Sequence, residues 1–238
     1  MYMISVCMAT YNGEKFIKEQ IESILCQLSQ NDELVISDDG STDNTLSIIS
    51  NINDPRIKLM EGPHKGCVMN FEFAIKAAKG DIIFMTDQDD FWLPNKIQTI
   101  VGMFGHNPKL NLICHNYNII DVNGNIITTN AKKNVHNSFW ANLVKPNMFT
   151  GNCMAFRANC CDLFLPIPEH KYVYHDNWIG LCFLKDQPKS VLYIDQPLIN
   201  YRRHDLNVSA SKSPLPFIER VYKRFVIFKY LIQRKHES

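Results

Sequence analysis

The stretch Met85-Thr86-Asp87-Gln88-Asp89-Asp90-Phe91-Trp92 sets three carboxylates within four residues, directly after Ile82-Ile83-Phe84-Met85, which reads as a buried strand. Like charges this close repel unless a cation, a basic partner or water screens them. Hard oxygen ligands in that number suit Mn²⁺ or Mg²⁺, which keep several waters and share the remaining coordination with phosphate oxygens. The competing reading is a solvated acidic turn ahead of a helix beginning at Pro94.

A second acidic segment, Asp38-Asp39-Gly40-Ser41-Thr42-Asp43, follows the apolar run Leu34 to Ser37. A carboxylate at a strand end can accept the imino hydrogen of a pyrimidine or bond a ribose hydroxyl, and Asp39 is placed for that. A base reader and a metal clamp on one sheet edge would describe a nucleoside diphosphate site. The same residues are also good turn and N-cap chemistry for the helix that follows, Asp43 above all.

Both segments need elements that bring them together. Ile4 to Thr10 reads as a strand, Phe16 to Leu28 as a helix with one apolar face, and Leu46 to Ile52 as another helix. Ile57 to Met60 is a third strand, and Val68 to Lys79 a helix that Gly80 would close as a left-handed C-cap. Strands alternating with helices predict an α/β chain with a mainly parallel sheet covered on both faces. Right-handed crossovers then bring the turns near residues 11, 39 and 88 to one edge, where open α/β sheets bind ligands.

The second half is less regular. Leu110 to Ile120, Gly151 to Arg157 and Ser190 to Ile194 read as strands, Asn123-Gly124 as a hairpin turn, and Thr128 to Asn137 as a mobile loop. Ala158 to Leu165 and Asn177 to Leu184 read as helices. No repeat or flexible linker divides the chain, so residues 1–210 are expected to form one domain, with a nucleotide half (1–108), an acceptor half (109–210) and a C-terminal helix in 211–238.

Taken in order, Ala9-Thr10-Tyr11-Asn12-Gly13, Asp38 to Asp43, Gly80-Asp81-Ile82-Ile83-Phe84, Asp87-Gln88-Asp89-Asp90, Thr150 to Phe156, His175-Asp176-Asn177-Trp178 and Tyr201-Arg202-Arg203-His204 through Ser209 resemble the family 2 glycosyltransferases of the GT-A fold. The last motifs resemble the bacterial rhamnosyltransferase-like enzymes of surface polysaccharide assembly. The resemblance implies inverting transfer of a sugar from a UDP- or dTDP-linked donor to a hydroxyl of a saccharide or lipid-linked acceptor. It implies Asp176 as the catalytic base, unless that residue only caps the helix behind it, and leaves His175 without a role. Asp89, Asp87 and His204 would hold the Mn²⁺ or Mg²⁺. Thr10, Tyr11, Asp39, Asn70, Asp87 and Arg203 would bind the donor, with Arg202 the alternative to Arg203 and Lys65 bordering the nucleotide. Gly151, Asn152 and Trp178 would face the acceptor, with Trp92 and Trp140 as further sugar platforms or core residues.

Two other classes compete. A nucleotidyl or phosphoryl transferase would also use metal carboxylates on such a sheet, but the chain has no GxxxxGK[ST] loop. A non-catalytic nucleotide-sugar binding module would have no need of a base such as Asp176.

Composition limits the partners. Lys and Arg total 25 against 24 Asp and Glu, which gives no global attraction to nucleic acid. The eight cysteines show no CxxC or zinc spacing and read as reduced core residues. No signal peptide and no apolar run of roughly 20 residues is present, so the expected location is cytoplasmic. The stretch from Phe217 to Lys235 is amphipathic and basic, and reads either as a peripheral contact with the inner face of the plasma membrane or as a packed helix with a solvated basic face.

Overall fold

The computed structural model describes residues 2–132, 135–145, 147–205 and 216–234. Strands β1 (Ile4–Thr10), β2 (Glu33–Asp38), β3 (Ile57–Glu61) and β4 (Ile82–Asp87) alternate with helices α1 (Ile17–Leu25), α2 (Thr45–Asn51) and α3 (Cys67–Ala77). These strands pair in the order β3-β2-β1-β4, all parallel. Beyond β4 come β5 (Phe91–Trp92), α4 (Lys96–His106), β6 (Leu112–Ile120), β7 (Ile126–Thr128), α5 (Phe139–Val144), β8 (Met154–Arg157), α6 (His175–Asp186), β9 (Val191–Arg202) and α7 (Phe217–Gln233). The sheet continues β4-β8-β6-β9-β5, with β7 on β6, and is mixed from β8 onward.

Each central strand buries both faces, so it reads as an unbroken apolar run. Val6, Met8, Leu34, Ile36 and Phe84 join Ile17, Ile21 and Ile24 of α1 and Ile100 and Phe104 of α4 in one core. Cys7, Val35, Ile83 and Met85 join Phe71 and Ile75 of α3, residues of α6, and Ile227 and Leu231 of α7 in the other. Alternation along a strand sends successive side chains to opposite layers. The eight cysteines are all free thiols.

Several expectations need correction. Gly80 is not a left-handed cap, since α3 ends at Ala78 in extended backbone. It lies against β1, where a Cβ would come within 2.5 Å of the Ser5 nitrogen. Gly151 to Cys153 form a 3₁₀ turn rather than the start of β8, and Ala158 to Leu163 are likewise 3₁₀. β9 runs eight residues past Ile194, because β6 continues beside it in parallel register. Within Thr128 to Asn137, Ala131 N–H bonds Tyr117 O at 2.8 Å and Lys132 N–H bonds Asn116 Oδ1 at 2.8 Å, so this part is tied to β6 instead of loose. Leu206 to Ser209 and Lys235 lie outside the described residues.

Candidate active site

The parallel register carries the ends of β1, β2 and β4 to the same edge, with Thr10 opposite Asp38 and Ala9 opposite Asp87. Asp38 is buried and builds the loop after β2: its carboxylate accepts Gly40 N–H at 3.1 Å, Ser41 N–H at 2.8 Å, Ser41 Oγ at 2.6 Å and Thr10 Oγ1 at 2.9 Å. Asp43 serves α2, accepting Thr45 N–H at 2.9 Å. Asp39, by contrast, points toward the start of α3 and accepts the Lys65 and Gly66 N–H groups at 3.1 and 2.7 Å. Neighbouring acids therefore divide the work, one shaping the turn and one held at the rim.

Asn70 is buried and donates to Ser37 O at 2.7 Å and Thr10 O at 3.3 Å, clamping β1 to β2. Its side chain is spent on the scaffold, so its place in the donor set is that of a support. Tyr11 is exposed, on a loop that Gln88 holds in place. Lys65 is paired with Glu169 at 3.0 Å.

The acidic segment after β4 splits inward and outward. Asp90 is buried, accepting Arg202 N–H at 3.0 Å and a hydrogen bond from the Asn152 amide. Burial, then Asp89 and Asp87, push its carboxyl well above the ordinary range. Arg202 is buried too, paired with Glu19 at 2.6 Å and stacked 4.7 Å from the Phe16 ring, so Arg203 is the arginine left at the surface, 5.4 Å from the Tyr201 ring. Asp89 Oδ2 lies 2.7 Å from His204 Nε2. Asp87 is pushed up to about 7, by burial first and then by the Asp89 and Asp176 carboxylates, with Lys96 opposing.

Lys96 is the member that sequence reasoning missed. It is fully buried under the acidic segment, its Nζ donating to Asn152 O at 2.8 Å and lying 3.9 Å from the Trp92 ring centroid. Burial lowers its pKa to about 7, against the pull of Cys153, Asp90 and Asp87. A lysine near the start of a helix ordinarily reads as solvated, and only the arrival of Asn152 from the second half of the chain covers it.

On the acceptor side, Asp176 sits in the first turn of α6. The helix begins two residues earlier than expected, at His175, with Tyr174 in the capping position and no side-chain cap. Asp176 Oδ2 accepts Asn147 Nδ2 at 3.2 Å and its Oδ1 accepts Asn177 N–H at 2.6 Å. Lys132, whose Nζ donates to Asn147 O at 2.9 Å, lies close enough to feel the Asp176 charge. The His175 ring packs 4.3 Å from Phe71, and burial lowers its pKa, which favours the neutral ring. Gly151 makes room for it, since a Cβ there would come within 2.5 Å of His175 Nε2.

The three residues expected to face the acceptor, Gly151, Asn152 and Trp178, are all buried. Asn152 is fully buried with its amide on Asp90, because that carboxyl needs a donor. Trp178 is buried and donates its indole N–H to Phe164 O at 2.8 Å, which makes it core. Trp92 is also buried, bonded to Thr86 Oγ1 at 2.9 Å, whereas Trp140 is exposed on α5.

Among the described residues, no three His, Cys, Asp or Glu side chains converge so as to hold a metal by themselves. The Asp89 and His204 pair nevertheless offers an oxygen and a nitrogen donor, and the upward push on the Asp87 carboxyl, from burial first and then from Asp89 and Asp176, marks a place where positive charge is wanting. That donor set fits Mn²⁺ or Mg²⁺ sharing its coordination with diphosphate oxygens.

Residues 5–164 match the family described as Glycosyl transferase family 2. The chain is 37% identical over 222 residues to the Escherichia coli UDP-Glc:alpha-D-GlcNAc-diphosphoundecaprenol beta-1,3-glucosyltransferase WfgD, covering 89% of this chain and 81% of that protein. It is 32% identical over 218 residues to an uncharacterized glycosyltransferase of Haemophilus influenzae, covering 89% and 84%. S. aureus TarS 1-349 in complex with UDP-GlcNAc superposes with a TM-score of 0.72 at 19% identity, covering 94% of this chain and 66% of that one. That likeness shows the GT-A fold. The chain is also 40% identical over 98 residues, 41% of its length and 39% of the relative's, to the Escherichia coli glucosyltransferase WfaP; these relatives show the family as a whole and not specifically its rhamnosyltransferase-like members. With the sheet edge, the split acidic segment and these relatives agreeing, the chain belongs to glycosyl transferase family 2 and is an inverting glycosyltransferase of the GT-A fold.

Proposed function

We propose that the chain moves a sugar from a UDP-sugar to a hydroxyl of a lipid-linked saccharide during surface polysaccharide assembly, with Asp176 as the base. The observation that carries this reading is the approach of two acids from opposite halves of the chain: after burial and Asp89, the carboxylate of Asp176 on α6 is the next influence pushing up the pKa of Asp87 at the end of β4. A base on one side and a diphosphate-side acid on the other leave the anomeric carbon between them, as in-line inversion requires. WfgD and WfaP are named for a UDP-Glc donor and a GlcNAc-diphosphoundecaprenol acceptor, which favours UDP over dTDP and a lipid-linked acceptor.

In this reading Asp39 bonds the uracil imino edge while Thr10 and Tyr11 hold base and ribose. Asp87, Asp89 and His204 would hold Mn²⁺ or Mg²⁺, which supplies charge neutralisation to the departing diphosphate. Arg203 adds charged hydrogen bonds from the rim. Asp176 accepts the proton of the attacking hydroxyl, and Asn147 fixes the orientation of that carboxylate.

The test pairs the purified chain with UDP-Glc, UDP-GlcNAc and a dTDP-sugar, each with GlcNAc-diphospholipid acceptor and Mn²⁺, and follows product by mass spectrometry. Transfer from a UDP-sugar that Asp176→Asn abolishes is the expected result. Nucleotide binding with no transfer from any donor would reduce the protein to a binding module.

A further inference from the structure

Helix α7 leaves an apolar face to water while part of its basic complement turns inward. Arg224 donates to the carbonyls of Leu143 and Val144, Arg234 just beyond the helix bonds Leu163 O and Asp186, and Lys223 lies 4.5 Å from the Tyr174 ring centroid. Val226, Ile227 and Leu231 pack on the domain. Phe217, Ile218, Val221, Phe225 and Ile232 face water instead, Ile218 at 81% exposure and Phe225 at 62%. At the helical repeat these five fall within one arc of roughly 100°. Trp140 and Val144 of α5, both exposed, extend the patch, and Phe228 joins it to Trp140 at 5.9 Å between rings. A groove of about 390 Å³ opens at that junction, between Trp140, Phe228 and Ile232.

A soluble chain rarely leaves so many large apolar residues contiguous without a partner for them. The charges at the margin say which partner. Arg220, Lys229 and Lys145 are exposed around the patch, and Glu219, the only acidic residue in α5 or α7, is turned away to bond the Tyr172 hydroxyl at 2.8 Å. We propose that this face of α7 and α5 docks on an anionic lipid surface, its aromatic and aliphatic residues entering the headgroup boundary and its cations meeting lipid phosphates. A second copy of the chain fits less well, because a two-fold contact would set these cations against their own counterparts with no acid of α5 or α7 turned to answer them.

The position of α7 gives the docking a purpose. Through Glu219 with Tyr172 and Lys223 with Tyr174, the helix braces the segment that leads into α6, two residues from Asp176. A chain lying on this face would hold its candidate base beside the bilayer, where a lipid-linked acceptor presents its sugar. The docking rests on the surface alone, and only its use rests on the acceptor reading given above.

The experiment floats the full chain with vesicles of phosphatidylglycerol and phosphatidylethanolamine, or of phosphatidylcholine alone. Binding to the anionic vesicles only, weakening with added salt, is expected. Trp140 emission should shift to the blue, and it alone, because Trp92 and Trp178 are already buried. Ile218→Glu and Phe225→Glu should each lower vesicle partitioning roughly tenfold or more, and Arg220→Gln with Lys229→Gln should remove the salt-sensitive part. These sites are exposed, so stabilisation by UDP should be unchanged in the variants and reports that they are folded. A wild-type chain that stays in solution with anionic vesicles, or one that light scattering shows to be a dimer dissociated by Phe225→Glu while binding no vesicle, overturns the proposal. Failure of UDP to bind the wild type would defeat the catalytic reading and leave the vesicle result standing.

Discussion

Gln88 clasps the backbone of Tyr11 from both sides: its Oε1 accepts Tyr11 N–H at 2.9 Å and its Nε2 donates to Tyr11 O at 2.9 Å. The residue between the acids of the β4 segment thus anchors the loop after β1, and the two edges of the candidate nucleotide site move as one. The amide does what neither a carboxylate nor an ammonium could, because it donates and accepts at once.

Gln88→Glu should therefore loosen Tyr11 by removing the donor and adding negative charge at the rim. The expected outcome is a KM for the donor raised about tenfold, in proportion to one or two lost hydrogen bonds, with a melting temperature close to wild type because the site is exposed. An unchanged KM would show that the Tyr11 loop holds its shape without this clasp.

Asp176→Asn keeps the size of the side chain and removes the ability to take a proton. Turnover should fall on the order of 10²-fold or more, the usual contribution of a positioned base, while UDP affinity by calorimetry stays near wild type. His175→Ala is the control. If it abolishes transfer and Asp176→Asn does not, the base is the imidazole.

The acidity of Asp87 makes cation binding pH-dependent. Its carboxyl is raised to about 7 in the fold, by burial first and then by Asp89 and Asp176, against roughly 4 in an unfolded chain. Between those values the folded state holds a proton that the unfolded state has lost, so this group's contribution to stability is full below roughly pH 4 and declines as pH rises toward 7. A divalent cation must displace that proton, and Mn²⁺ affinity in the presence of UDP should fall toward tenfold per unit as pH drops below about 7. Asp87→Asn should flatten the profile as it weakens binding. A Mn²⁺ affinity that is level from about pH 5.5 to 8 would remove Asp87 from the cation site.

Lys96 is the most severe expected lesion outside the reacting groups. Lys96→Met keeps the stem over Trp92 but leaves Asn152 O without its donor and removes a buried cation beside Asp90 and Asp87. A loss on the order of 3 kcal/mol in denaturant unfolding is expected, and Asp90→Asn in the same chain should recover part of it. Equal stability of Lys96→Met and wild type would mean that the acidic segment carries its own charge without help.

The α/β class, the parallel strands and the edge they share are written in local sequence. An apolar run such as Ile4 to Met8 can only be buried on both faces, and the helix stripes that alternate with such runs dictate which layers cover them. Asp39, Asp87 and Asp89 are legible for the same reason, since a strand end followed by a turn rich in acids puts them at that edge whatever the rest of the chain does. Tertiary structure decided what neighbouring residues of like type do. Asp90 turns inward because Asn152 and Arg202 arrive from 62 and 112 residues away to pair with it, leaving Asp89 for His204, and Arg202 is consumed by Glu19 while Arg203 remains outside. The same holds for Lys96, Trp178 and the exposed apolar face of α7. Each depends on partners brought by the less regular second half, where long-range contacts rather than local periodicity determine which side of a residue meets water.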